Sequence, residues 1–242
     1  MNRHDQLREH VRFFCELGVE GVSQDRAWVT RPADTAMATK AVDQIRKELG
    51  DCTRCKLHET RSNIVYGVGD PSAELMFVGE APGRDEDQQG VPFVGAAGKL
   101  LDSLLDSISL TRSEIFITNM VKCRPPDNRD PMPEEIHSCS KYLESQIAIV
   151  SPQIIVTLGR HAFGRFFPGE SIMKARGKIR DYGELKIFPL LHPAAALYRR
   201  ELKDVLAEDF LTLRNLLNDY GDSQHVSSND STEDEPEQLT MF

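Results

Sequence analysis

The sequence predicts an α/β protein of three layers, α/β/α, built on a small, mainly parallel sheet of four strands, with a helical N-terminal extension and an acidic, disordered C-terminal tail. Three observations lead there. Between about residues 41 and 218, short β-branched runs alternate with stretches of helical periodicity, and strands separated by helices pair in parallel beneath helices on both faces. Apolar residues make up 40% of 242 positions, enough to fill one sizeable core. From Tyr220 the chain turns acidic, Ser-rich and poor in aromatic residues until its last few positions, so it has too little apolar surface to offset the entropy of ordering.

Each element follows from its pattern. Leu7, Val11, Phe14 and Leu17 recur at helical spacing and stop near Gly18, and the polar, Pro-containing stretch 24–38 follows; residues 1–40 therefore read as a helix and linker. Strands are expected at 74–79, 115–119, 154–158 and 186–191, where apolar and β-branched residues run between turn formers. Helices are expected at about 97–110, 133–150, 161–166 and 202–217. This divides the chain into 1–40, a domain at 41–218 and a tail at 219–242. Ligands of such open sheets collect beyond the carboxyl ends of the strands, where the polar motifs of this chain fall.

Composition limits the function classes. No apolar run approaches the roughly 20 residues of a membrane span, and the N-terminus, with Asp5 and Glu9, lacks the apolar segment of a secretory signal. A cytoplasmic protein without a membrane partner is expected, acting as a monomer. A net charge of -9 argues at first against nucleic acid, because phosphates are met by Lys and Arg. However, Asp219, Asp222, Asp230, Glu233, Asp234, Glu235 and Glu237 all follow the last basic residue, Arg214. They carry most of the excess. Between Arg160 and Lys203 basic residues outnumber acidic ones, with Arg165, Lys174, Arg176, Lys178, Arg180, Lys186, Arg199 and Arg200 among them. That stretch is either a surface for a phosphate backbone or an ordinary solvated face.

Cys52 and Cys55 form a C-x-x-C pair, Cys123 and Cys139 lie far downstream, and Cys15 stands alone in the N-terminal helix as a small core residue. A reducing compartment disfavours disulfides. Four thiolates can hold a tetrahedral zinc ion or a 4Fe-4S cluster, and the residues alone do not choose between them.

Three motifs carry chemistry. After the first expected strand comes the glycine-punctuated stretch from Gly79-Glu80-Ala81-Pro82-Gly83 to Gly95; it lacks the G-x-x-x-x-G-K-[ST] pattern of a nucleotide-phosphate loop and is crowded with carboxylates. The second strand ends in Thr118-Asn119, four residues before Cys123. The fourth ends in Leu191-His192-Pro193-Ala194, where the His is either a turn residue or a catalytic one.

Taken together, the 79–95 loop, the segment from Thr118-Asn119 to Cys123-Arg124-Pro125-Pro126, the His192-Pro193-Ala194-Ala195 turn and the four cysteines resemble the family 4 uracil-DNA glycosylases in order and spacing, over roughly residues 45–217. The resemblance implies a uracil-DNA glycosylase-like fold and a monofunctional enzyme of base excision repair, a hydrolase acting on N-glycosyl bonds. It would release uracil from DNA and leave an abasic site. It also implies a 4Fe-4S cluster held by Cys52, Cys55, Cys123 and Cys139.

The roles it carries over make physical sense. A base must leave the duplex before its glycosidic bond can be reached. Phe93 matches the aromatic on which the flipped base stacks. Asn119 matches the residue that donates to uracil O4 and accepts from N3–H, a polarity that cytosine reverses. His192 matches the catalytic histidine that bonds O2 as charge develops there. Glu80 and Ala81 fall where loop backbone contacts the base and the attacking water; another glycosylase family has an Asp at the position of Ala81. Glu86 matches a Glu that excludes the thymine methyl or assists the water, the first being preferred. Arg84 stands where many relatives carry an acid.

Leu197 or Tyr198, with Arg199 and Arg200 on phosphates, resembles the loop that enters the DNA where the base has left; an ordinary helix start is the alternative. Finally, Gln238-Leu239-Thr240-Met241-Phe242 looks like the peptide that docks on the bacterial sliding clamp. Two other readings are a relative that traps its product through a histidine, whose basic insert is not evident after Lys122, and a non-catalytic iron–sulfur DNA-binding or clamp-associated module.

Overall fold

The structure is a computed structural model that describes residues 35–226, with side chains up to 219. The expected N-terminal helix of Leu7 to Leu17, Cys15, and the residues expected to dock on a clamp, Gln238, Leu239, Met241 and Phe242, lie outside the described residues.

The elements run α1 (Thr35–Leu49), β1 (Val68–Gly69), β2 (Leu75–Gly79), α2 (Arg84–Gln89), α3 (Ala96–Ser107), β3 (Ile115–Asn119), α4 (Pro133–Val150), β4 (Ile154–Leu158), α5 (Arg160–Gly164), α6 (Ile172–Ala175), β5 (Arg180–Tyr182), β6 (Leu185–Leu190), α7 (Pro193–Tyr198) and α8 (Glu201–Val226). All five residues of β2, β3 and β4 are buried, which explains their nearly unbroken apolar runs: a parallel strand covered on both faces has no wet side. α4 opens with Pro133 in its first turn, while Glu135 accepts from the Met132 N–H at 2.8 Å, satisfying an otherwise orphaned donor.

The sheet order is β1-β3-β2-β4-β6-β5. The middle four strands are parallel and are the four expected from the sequence. The expectation of a four-stranded sheet is corrected to six, because β1 and β5 add antiparallel edges. They were invisible to pattern reading for a physical reason. β1 is two residues long and β5 is three, of which two are exposed, so neither carries a run of buried side chains.

Alternate residues feed two cores. On one face Phe77, Ile117, Val156 and Phe188 pack with Leu101, Leu105, Leu206 and Phe210 from α3 and α8. On the other, Met76, Val78, Phe116, Ile155 and Ile187 pack with Val42, Tyr142, Leu143 and Val150 from α1 and α4. β2 is the switch point, since the chain leaves it first towards β3 and then returns to its other side at β4. In open sheets of this kind ligands bind beyond the carboxyl ends at such a point.

The expected domain limits fall inside helices: α1 begins at Thr35, ahead of residue 41, and α8 continues to Val226, past 218. Among the described residues no helix is long and apolar enough to cross a membrane.

The two-faced packing of α8 gives a direct check. Phe210 is fully buried and stacks on Phe77 at 6.3 Å, whereas its neighbour Leu211 is 55% exposed. Phe210→Ala is expected to cost about 3–5 kcal/mol in urea unfolding, and Leu211→Ala to stay within about 0.5 kcal/mol.

Candidate active site

Four loops leave the carboxyl ends of the parallel strands and bring the motif residues together. Asn119 closes β3 and is buried. Its register partner on β2 is Gly79, and a Cβ at Gly79 would stand 2.3 Å from Asn119 Oδ1 and 2.7 Å from Phe93 Cζ. The amide and the aromatic ring thus meet above a residue that has no side chain to give them. The Phe93 ring in turn stacks beside His192, with ring centroids 5.7 Å apart and planes 26° from parallel. His192 follows β6 and lies against Gly159, where a Cβ would come within 3.0 Å of the His192 Cβ.

His192 is held in one tautomer. The Ala194 N–H donates to its Nδ1 at 3.1 Å, so Nδ1 is unprotonated and the neutral ring keeps its proton on Nε2. Burial pushes its pKa down to about 4, against an opposing pull from Glu86. At neutral pH the site therefore presents an uncharged N–H donor. Asn119 Oδ1 is buried and has no hydrogen-bond partner among the described residues, which leaves it an acceptor for a polar ligand.

Phe93 has φ of 55°, a left-handed conformation that a bulky residue adopts only when its surroundings impose it. Two side chains do so. Arg112 donates to the Pro92 carbonyl at 3.1 Å and to the Phe93 carbonyl, and is itself held by Asp102 at 2.6 Å. Glu86, on α2, accepts from the Val94 and Gly95 N–H groups at 2.9 Å each. Arg112 was not singled out from the sequence, where it is an unremarked residue at the start of a turn. The carboxylate of Glu86 holds the loop that carries Phe93.

Glu80 follows β2 with its side chain half-buried. Its Oε2 lies 3.9 Å from His161 Nε2, which meets Asp130 Oδ2 at 3.1 Å, and Arg160 lies 2.7 Å from the same Asp130 oxygen. Burial raises the Glu80 pKa, and His161 pulls it back. Ala81 packs instead against the cysteine region with Leu57, Val121 and Ile136.

The four cysteines converge beside this loop, where Cys55, Cys123 and Cys139 share one apolar cluster. Donors point at the sulfurs: Arg54 at Cys52 (3.3 Å), Arg61 at Cys123 (3.6 Å), and the Lys122 backbone N–H at Cys139. Burial pushes the Cys123 thiol up to about 12 and raises Cys139 as well. Bare thiolates are thus disfavoured where the donors ask for negative sulfur, and bonding to a metal resolves that conflict. Among the described residues, three or more ligand atoms within 4.8 Å of one another occur only at Glu80, Asp130 and His161.

Buried links join the cysteine region to the pocket. Arg61, almost wholly buried, also donates to the Cys52 carbonyl at 2.7 Å. The next two backbone N–H groups, Ser62 and Asn63, donate to the buried Asp87, which stands next to Glu86 on α2. On the other side Lys122 is fully buried, and its Nζ donates to Thr118 Oγ1, Asn119 O and Gln146 Oε1 at 2.7, 2.7 and 2.6 Å. Burial lowers its pKa to about 8, and Cys139 is the charge that opposes this.

At the rim, α7 presents Leu197 and Tyr198, 41% and 89% exposed, with Arg199 and Arg200 exposed behind them. The basic stretch is less free than its composition suggests. Arg160, Arg165, Arg176, Arg180 and Lys186 pair with Asp130, Glu144, Asp209, Glu170 and Asp181. Lys174, Lys178, Arg199, Arg200 and Lys203 have no ion pair among the described residues, which leaves them able to meet phosphates.

An aromatic face, an amide and a neutral imidazole thus lie together at the switch point of an α/β/α fold. The family model "Uracil DNA glycosylase superfamily" matches residues 66–214, which contain Phe93, Asn119 and His192. Curated relatives narrow this further. The chain is 53% identical over 186 residues to a type-4 uracil-DNA glycosylase of Sulfurisphaera tokodaii, covering 73% of this chain and 84% of the relative. It is 46% identical over 186 residues to that of Archaeoglobus fulgidus (73% and 94%) and 41% identical over 182 residues to that of Thermotoga maritima (73% and 95%). The chain belongs to the type-4 uracil-DNA glycosylase family.

The loop geometry makes a prediction about Glu86. Glu86→Ala removes the acceptor of two amides, so hydrogen exchange at Val94 and Gly95 is expected to accelerate about tenfold or more. Unchanged protection would mean that Glu86 does not hold the loop.

Proposed function

We propose that this protein excises uracil from DNA by hydrolysing the N-glycosidic bond, yielding free uracil and an abasic site. The observation that carries the proposal is the convergence of Phe93, Asn119 and His192 at Gly79 and Gly159. The extruded base stacks on the Phe93 face. The Asn119 amide accepts from uracil N3–H and donates to O4; cytosine presents the opposite polarity, leaving unpaired buried groups that cost about 1–3 kcal/mol. The His192 Nε2–H donates to O2 as the bond to the sugar lengthens and negative charge gathers on the base. A neutral donor suits this step, since its bond strengthens with that charge without first binding the base as an ion pair.

Backbone groups of Glu80 and Ala81 contact the base and the attacking water. Glu86 assists through position, by fixing the Phe93 loop so that the ring closes the pocket near uracil C5. Leu197 or Tyr198 fills the gap left in the stack, and Arg199 and Arg200 hold the flanking phosphates. Lys122, the lysine nearest Asn119 in the chain, is spent on three internal bonds, which supports a glycosylase that does not attack the sugar with an amine.

Cys52, Cys55, Cys123 and Cys139 are the ligands of a 4Fe-4S cluster. The three donors aimed at sulfur suit thiolate ligands, and kinship with the type-4 family supports a 4Fe-4S cluster over a single zinc ion. When bound, it supplies a four-point cross-link between the start of the domain, the segment after Asn119, and α4. The C-terminal Gln238, Leu239, Met241 and Phe242 are assigned from sequence to the sliding clamp, with the acidic stretch as tether. Deleting the last five residues should abolish clamp pull-down and leave uracil release intact.

Uracil-containing single-stranded DNA, incubated with the protein and then treated with alkali, is expected to break at the uracil; intact strands with DNA still bound would favour a non-catalytic module. His192→Ala is expected to slow single-turnover release by about 10²–10³, and Asn119→Ala to slow it while weakening discrimination against cytosine. The active imidazole is neutral and its pKa is depressed, so the acid limb of kcat/KM belongs near pH 4 and activity is retained across pH 6.5. A limb at 6.5 would contradict the neutral-donor mechanism.

A further inference from the structure

Lys122 stands between the two halves of the site: three residues before it is Asn119, and the residue after it is Cys123. Its ammonium is among the largest fully buried groups, yet every hydrogen-bond acceptor it meets is neutral: the Thr118 hydroxyl, the Asn119 carbonyl and the Gln146 amide oxygen. The Tyr66 ring lies 6.0 Å away. Among the described residues no carboxylate pairs with it.

A cation taken out of water without a counter-charge costs several kcal/mol, and three neutral hydrogen bonds recover only part of that. Cys139 favours the charged form of this ammonium, its sulfur accepts from the same lysine's backbone N–H, and Cys123 is the next residue along the chain. Lys122 thus touches the metal-ligand shell with its backbone and the base-reading strand with its side chain. Gln146 is locked into the same network, its Nε2 donating to the Tyr66 carbonyl at 2.8 Å.

We propose that Lys122 is a positioning residue that fixes the Asn119 end of β3, and that the anionic cysteine-bound cluster is the counter-charge of its buried ammonium. This rests on the cluster and uracil assignments above. Two consequences follow. The lysine ties the carbonyl of the base-reading residue, so its loss loosens that amide. It also places a positive charge beside the cluster, which makes the cluster easier to reduce. A residue that served only to fill the core would do the first without the second.

The test compares full-length wild type, Lys122→Met and Gln146→Leu by voltammetry, with iron–sulfur absorbance and single-turnover kinetics on uracil-containing DNA measured in parallel. Lys122→Met is expected to keep the absorbance, move the reduction potential to a more negative value, and lower kcat/KM for uracil about tenfold or more. Gln146→Leu removes a bond in the same network without changing charge, so its potential is expected to stay at the wild-type value. A potential unmoved in Lys122→Met, or moved equally in both variants, overturns the proposal. If Lys122→Met does not fold, Gln146→Glu gives the ammonium a carboxylate in place; an unmoved potential there overturns it too. Wild type without iron–sulfur absorbance overturns both this inference and the cluster assignment, whatever its uracil release. Wild type that carries the cluster but releases no uracil, with Lys122→Met and Gln146→Leu differing in potential as expected, removes the enzyme reading and the base-positioning half of the inference.

Discussion

At the end of β2 the sheet leaves room for nothing larger than a hydrogen atom on the Cα of Gly79, and the meeting of Asn119 with Phe93 depends on that. The Asn119 amide and the Phe93 ring both occupy the space that a side chain there would fill. Because β2 is the strand from which the chain turns both ways, its carboxyl end is the one place where loops from β2, β3, β4 and β6 can share a small volume. The fold supplies the crevice, and the missing side chain lets an aromatic face and an amide close on it.

This arrangement carries conformational strain at Phe93, and the surroundings supply the restraint. Phe93 sits in a left-handed conformation because Arg112 grips its carbonyl and Glu86 grips the two amides that follow. Asn119 is gripped through its own carbonyl by Lys122. Both restraints lead back to the cysteines, one through Asp87, the Ser62 and Asn63 amides and Arg61, the other through Lys122 itself. A rigid centre at the cysteines would therefore stiffen two walls of the pocket without taking part in the reaction. His192 stands apart from this lattice; its orientation comes from the Ala194 amide and its neutrality from burial.

Much of this was legible in the sequence, and the exceptions have physical causes. The four parallel strands announced themselves because burial on both faces demands continuous apolar runs, as in Leu75–Gly79 and Ile154–Leu158. The edge strands β1 and β5 did not, being too short and too wet to bear a pattern. Phe93, Asn119 and His192 were legible only as a set, since any one of them alone reads as an ordinary core or turn residue. Arg112, Arg61 and Asp87 act through backbone groups 9 to 25 residues away, and no local spacing marks a side chain that bonds to so distant a carbonyl or amide. The basic stretch 160–203 misled in part, because charge composition does not reveal that five of its residues already hold carboxylate partners.

The account turns on the protonation state of one imidazole. Nitrogen-15 NMR of the His192 side chain at neutral pH, in the intact protein, reads that state without recourse to turnover. The account requires a neutral ring with its proton on Nε2 and an unprotonated Nδ1 that receives the Ala194 amide. A doubly protonated ring, or a proton on Nδ1, would contradict it.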